Sequence, residues 1–68
     1  MNLWFGEIIT IYSENGVYFG KVRVRGAVKV VSLELITNAA VGEIVLVCDG
    51  VALNRVDSQT QPLDFEQL

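Results

Sequence analysis

The chain has no histidine, one cysteine, one proline and one methionine in 68 residues, and no excess of positive charge. Each shortage removes a class of function. Without imidazole the commonest metal ligand and the commonest general base are both missing. A single thiol forms neither an internal disulfide nor a self-contained zinc site. Apolar residues come in short runs, far from the ~20 in succession that a membrane-spanning helix needs. No basic stretch precedes an apolar segment at the N-terminus, so the expectation is a cytoplasmic protein with no signal peptide and no membrane partner. There is no Gly-rich phosphate loop, no nucleophile elbow and no pair of carboxylates at a convincing spacing, which argues against an enzyme. The net charge of −3 weighs against a nucleic-acid partner.

What is present is a pattern of short strands. A composition 51% hydrophobic and 19% charged belongs to a folded chain rather than a disordered one. At this length one small domain is expected, and such a domain buries only roughly 60% of the surface its unfolded chain exposes. Leu3 to Tyr12 is rich in β-branched and aromatic residues and reads as a strand, with Gly6 marking a bulge or bend inside it. Ser13-Glu14-Asn15-Gly16 supplies a turn into a second strand, Val17 to Arg25. In that strand Lys21, Arg23 and Arg25 alternate with Val22 and Val24, giving one basic and one apolar face.

Gly26 interrupts the run, Ala27 to Val31 resumes it, and Lys29 is expected to join the same basic ridge. The ridge has two readings, a solvated edge that discourages strand pairing and a binding surface. Ser32 is placed to cap one helical turn that packs Leu33 and Ile36. Val41 to Val56 then reads as a complete hairpin turned by Asp49-Gly50, since both central residues of a type I′ turn need positive φ. Val45 and Val47 share one face of its first arm and Ile44, Leu46 and Cys48 the other, so both faces are apolar. The expected architecture is all-β, a small OB-fold-like five-stranded barrel over residues 1–57. A polar C-terminal tail or helical turn follows at 58–68, with an SH3-like barrel as the alternative.

Three blocks resemble the HypC/HupF family of [NiFe]-hydrogenase assembly chaperones. Gly20-Lys21-Val22-Arg23-Val24-Arg25-Gly26 is similar to the family's small-x-Val-x-Val-x-Gly strand, and Val31-Ser32-Leu33-Glu34-Leu35-Ile36 to its Val-Asp/Ser-Leu-x-Leu-Val segment. The hairpin from Val41 to Leu53 resembles its Val-Gly-Asp-x-Val-Leu-Val-His-x-Gly-Phe-Ala-hydrophobic segment. The resemblance implies an OB-like barrel that is not an enzyme. It would accompany a HypD-like maturation protein or the hydrogenase large-subunit precursor while the iron centre is assembled.

In that family a cysteine after the initiator methionine carries the role, a soft iron ligand at an exposed terminus. Here Asn2 stands in its place, and Cys48 stands where the family keeps a histidine. The function implied is therefore an accessory chaperone or adaptor, with or without carrying iron itself, and with no stably bound cofactor. Candidate partner-binding residues are Asn2, Leu3, Trp4, Phe5 and Cys48. Cys48 is also the one candidate metal ligand, for transient iron, set against its reading as a small core residue. Two other functions fit a small barrel. One is single-stranded nucleic-acid binding, with Lys21, Arg23, Arg25 and Lys29 for charge and Tyr18 and Phe19 for stacking. The other is a structural homo-oligomer joined through the double-sided apolar strand.

Overall fold

The computed structural model describes residues 3–56. Asn2 and the tail at 58–68 lie outside the described residues. Five strands follow in order, β1 (Leu3–Glu14), β2 (Val17–Val24), β3 (Ala27–Ser32), β4 (Ile44–Cys48) and β5 (Val51–Val56). They close into a barrel in the order β1-β2-β3-β5-β4, an OB-type arrangement. All neighbours are antiparallel except β3 and β5, which run parallel and meet at a single pair, Ser32 with Val51.

Three two-residue turns make the hairpins, and all have positive φ at both positions. Asn15-Gly16 (53° and 81°) joins β1 to β2, and Asp49-Gly50 (50° and 80°) joins β4 to β5, as their chemistry dictates. The third is Arg25-Gly26 (51° and 86°). Gly26 therefore does not merely interrupt a strand: the chain reverses there, and β3 lies antiparallel beside β2, with Val24 opposite Ala27.

The core is aliphatic. Ile8, Val22, Val31 and Val45 are fully buried, with Val24, Val47, Ala52, Leu33 and Ile36 packed around them. Burial of each Val, Leu or Ile side chain among them is worth about 1.5–3 kcal/mol. Gly6 sits against this core for want of space. A Cβ there would fall 2.9 Å from Val24 Cγ2 and 3.3 Å from Val22 Cβ. The irregularity in β1 expected at Gly6 occurs instead between Ile8 and Thr10, where Ile8 faces Val22 and Thr10 faces Lys21. Ile9 is the extra residue of that bulge.

Between β3 and β4 no helix forms. Ser32 Oγ accepts a hydrogen bond from Glu34 N–H (3.3 Å), and Ile36 N–H donates to the Leu33 carbonyl (3.1 Å). Ser32 thus caps a turn that buries Leu33 and Ile36 beneath the barrel, without a continuing helix. Arg55 on β5 secures the connection. Its guanidinium donates to both Glu43 carboxylate oxygens (3.1 and 3.3 Å) and to the carbonyls of Thr37 (2.6 Å) and Asn38 (3.2 Å). Glu43 Oε1 in turn accepts the Ala40 N–H at 3.0 Å.

Candidate functional site

The strand register gathers the sequence candidates at one end of the barrel. Leu3 pairs with Cys48, Trp4 with Val47 and Phe5 with Leu46, so the start of β1 lies beside the β4–β5 turn. Side chains directly opposite on neighbouring strands share a face. Trp4 accordingly lies on the inner side with the buried Val47. Leu3 and Phe5 lie on the outer side with Cys48 and Leu46.

That outer side is apolar and open. Phe5 is 64% exposed and Leu3 51%, beside the half-buried Ile44, Leu46 and Cys48. Val56, opposite Ile44 on β5, extends the same surface. A contiguous apolar face of this kind on a small domain marks an interaction site more often than it serves stability.

Trp4 caps the inner side of the same end. The Arg25 guanidinium carbon lies 5.2 Å from the centre of its ring, a cation–π contact reaching across from the β2–β3 turn. The four basic residues do not form one ridge. Lys21 and Arg23 face outward opposite Val30 and Val28, and Arg23 pairs with Glu7 at 3.7 Å. Lys29 lies opposite the inward-facing Val22, two residues from the buried Val31, and lines a cleft with Trp4, Val47 and Asp49. Arg25 belongs to Trp4. Phe19 stacks on Tyr12 on the outer side, with ring centres 5.7 Å apart, whereas Tyr18 falls on the inner side, against Leu33 and Ile36. The basic and aromatic groups are thus divided between two faces, Phe19, Lys21 and Arg23 outward and Trp4, Tyr18 and Lys29 inward, rather than gathered in one groove.

Cys48 is half-buried on the outer side of β4, and its thiol donates to Asp49 Oδ2 at 3.7 Å. Partial burial, then the adjacent Asp49 carboxylate, push its pKa above the ordinary thiol value. Among the described residues no group of three His, Cys, Asp or Glu converges. The Asp49 carboxylate beside Cys48 disfavours the thiolate form that a soft metal ligand needs. Sequence reasoning missed Arg55 and Glu43. The only signal for them was an arginine at a strand end, and its partner is twelve positions away.

A closed five-stranded barrel with an exposed apolar face along β1 and β4 defines a small OB-like β-barrel protein. The HupF/HypC family model matches residues 6–65, and the chain belongs to that family. Searches of curated proteins and of solved structures each returned no match. Among the described residues no helix is long and apolar enough to cross a membrane.

Proposed function

We propose that this protein is a docking adaptor of hydrogenase maturation that acts in the cytoplasm on a HypD-like maturation protein or on the hydrogenase large-subunit precursor. Membership of the HupF/HypC family supports a maturation chaperone role. The observation that carries the docking part is the exposed outer face of β1 and β4, with Phe5 at its centre. Aromatic side chains in such positions are the usual anchors of an interface, because they bring large apolar area at a small entropic cost. The thiol of Cys48 sits within this face next to Leu3, where contact with a partner would bury it fully. The adaptor itself performs no bond chemistry; it presents a surface. Asn2, the remaining candidate, continues the chain directly from Leu3.

The test is co-purification of the tagged full chain with the HypD-like and large-subunit proteins of the same cell, compared with Phe5→Asp. A complex in the wild type, weakened at least about tenfold by the variant while the thermal melt stays unchanged, is the expected result. Equal capture by both proteins would remove the β1–β4 face from the interaction, and no complex with either partner would remove the adaptor reading.

A further inference from the structure

The barrel is closed unequally, and the difference leaves one strand edge open. Strand β3 meets β5 only at Ser32 and Val51, where Ser32 N–H donates to the Gly50 carbonyl at 2.8 Å. Above that point Ala27, Val28, Lys29 and Val30 have β2 on one side and, among the described residues, no strand on the other. The two-residue turn at Arg25-Gly26 makes Val24 and Ala27 a hydrogen-bonded pair, and bonded pairs then recur at every second residue. Lys29 and Val31 thus turn their backbone groups toward β2. Val28 and Val30 turn theirs to the side away from β2, as Ser32 does toward Gly50.

The side chains along this edge have two distinct characters. Val28 and Val30, 53% and 52% exposed, point outward. Lys29 points to the other side, into a cleft of about 210 Å³ between β3 and the β4–β5 turn, whose walls include Trp4, Val31, Asp49 and Gly50. Lys29 and Arg25 have no ion-pair partner among the described residues, where the two pairs formed are Arg23 with Glu7 and Arg55 with Glu43. Among the described residues that line the cleft, Asp49 is the one acidic group.

We propose that the open edge of β3 takes up an extended segment of a partner protein as an added strand. In that segment acidic residues alternate with apolar ones. Backbone groups of the segment would pair with Val28 and Val30; its apolar side chains would cover the two valines, and its carboxylates would face Lys29 in the cleft and Arg25 over the Trp4 ring on its wall. A second copy of this chain is the poorer occupant, since antiparallel pairing of β3 with itself sets Lys29 near Lys29, and like charges across a ladder repel. This surface is separate from the outer face of β1 and β4, and its test does not depend on which maturation protein binds there.

The experiment titrates isotope-labelled full-length protein with a capped Thr-Val-Glu-Val-Glu-Val-Thr peptide while amide signals and hydrogen exchange are followed. Saturable binding should protect the amides of Val28 and Val30 by about tenfold or more, leaving those of Lys29 and Val31 little changed. Replacing both glutamates of the peptide by lysine should weaken binding about fivefold or more, and Lys29→Glu should reverse that preference. Val30→Pro removes the outward donor without touching a β2 bond and should abolish binding; should this variant misfold, Lys29→Glu still decides. Absence of binding at millimolar peptide, equal affinity for the two peptides, or protection of the β3 amides by self-association without peptide would each overturn the proposal.

Discussion

Arg55→Ala is the sharpest test of how the structure holds its longest connection. The guanidinium carries four contacts, two to the Glu43 carboxylate and two to the carbonyls of Thr37 and Asn38, so one side chain fastens β5 to residues 37–43. About a third of each side chain of the ion pair is exposed, which places the pair above an isolated surface bridge and well below a buried one. A bidentate pair in this setting contributes about 0.5–1 kcal/mol, and the carbonyl bonds from a charged donor about as much again. The expected loss is therefore roughly 1–2 kcal/mol, or a melting temperature lower by about 5–15 °C for a domain of this size.

Urea and thermal unfolding of the wild type, Arg55→Ala, Glu43→Gln and the double variant would give the coupling directly. The pH dependence adds a second check. The hydrogen bond from Ala40 N–H, then the one from Arg55, hold the Glu43 pKa below its ordinary value of 4.5. A carboxylate depressed in the folded state contributes stability that is present above its unfolded pKa and lost as pH falls through the folded one. The gap between wild type and Arg55→Ala should thus be constant near neutrality and narrow below about pH 4.5, leaving the part owed to the two carbonyls. A loss under about 0.3 kcal/mol, or a gap that widens in acid, would refute the assignment of Arg55 as the fastener.

Two further substitutions probe the core and the thiol. Gly6→Ala forces a methyl group to 2.9 Å from Val24 Cγ2 and should destabilise the barrel by about 1–3 kcal/mol, whereas a bend at Gly6 without crowding would tolerate alanine; denaturant midpoints separate the two. Cys48, with its pKa raised by burial and by Asp49, should alkylate more slowly at neutral pH than a free thiol, and Asp49→Asn should speed the reaction. An alkylation rate equal to that of a free thiol would contradict the half-buried placement.

The hairpins were legible wherever the turn residues advertise their conformation. Asn15-Gly16 and Asp49-Gly50 are pairs that accept positive φ on both sides, and each fixes the register of the strands it joins. Arg25-Gly26 adopts the same geometry with a residue that seldom does so, and there the sequence carried only a glycine. That turn decides where Lys29 points: opposite Val22 rather than in line with Arg23, which divides the basic residues between two faces. Gly6 illustrates a second limit. A glycine in a strand signals either a bulge or a close approach, and only the packing of Val22 and Val24 over it distinguishes them. The exposed apolar face of β1 and β4 was half legible. The alternation in β4 exposed an apolar outer side, but its union with Leu3 and Phe5 depends on the β1–β4 pairing, a contact between distant parts of the chain that no local pattern encodes.

The unequal closure of the barrel also bears on how the chain assembles. The meander of β1, β2 and β3 is built from two tight hairpins, and β4 with β5 from a third, so both units need only local contacts. Joining them requires β1 to find β4 across some forty residues, a loop-closure cost of about 3 kcal/mol that is recovered through five ladder pairs. The single pair between Ser32 and Val51 recovers little. The β1–β4 seam is therefore where folding commits, and its rate should respond to substitutions at Gly6 and Val45. The β3–β5 seam, held by one pair, should form last and open first, so hydrogen exchange at Ser32 should outpace exchange along the β1–β4 ladder, as in a ribbon that closes at one margin and stays loosely fastened at the other.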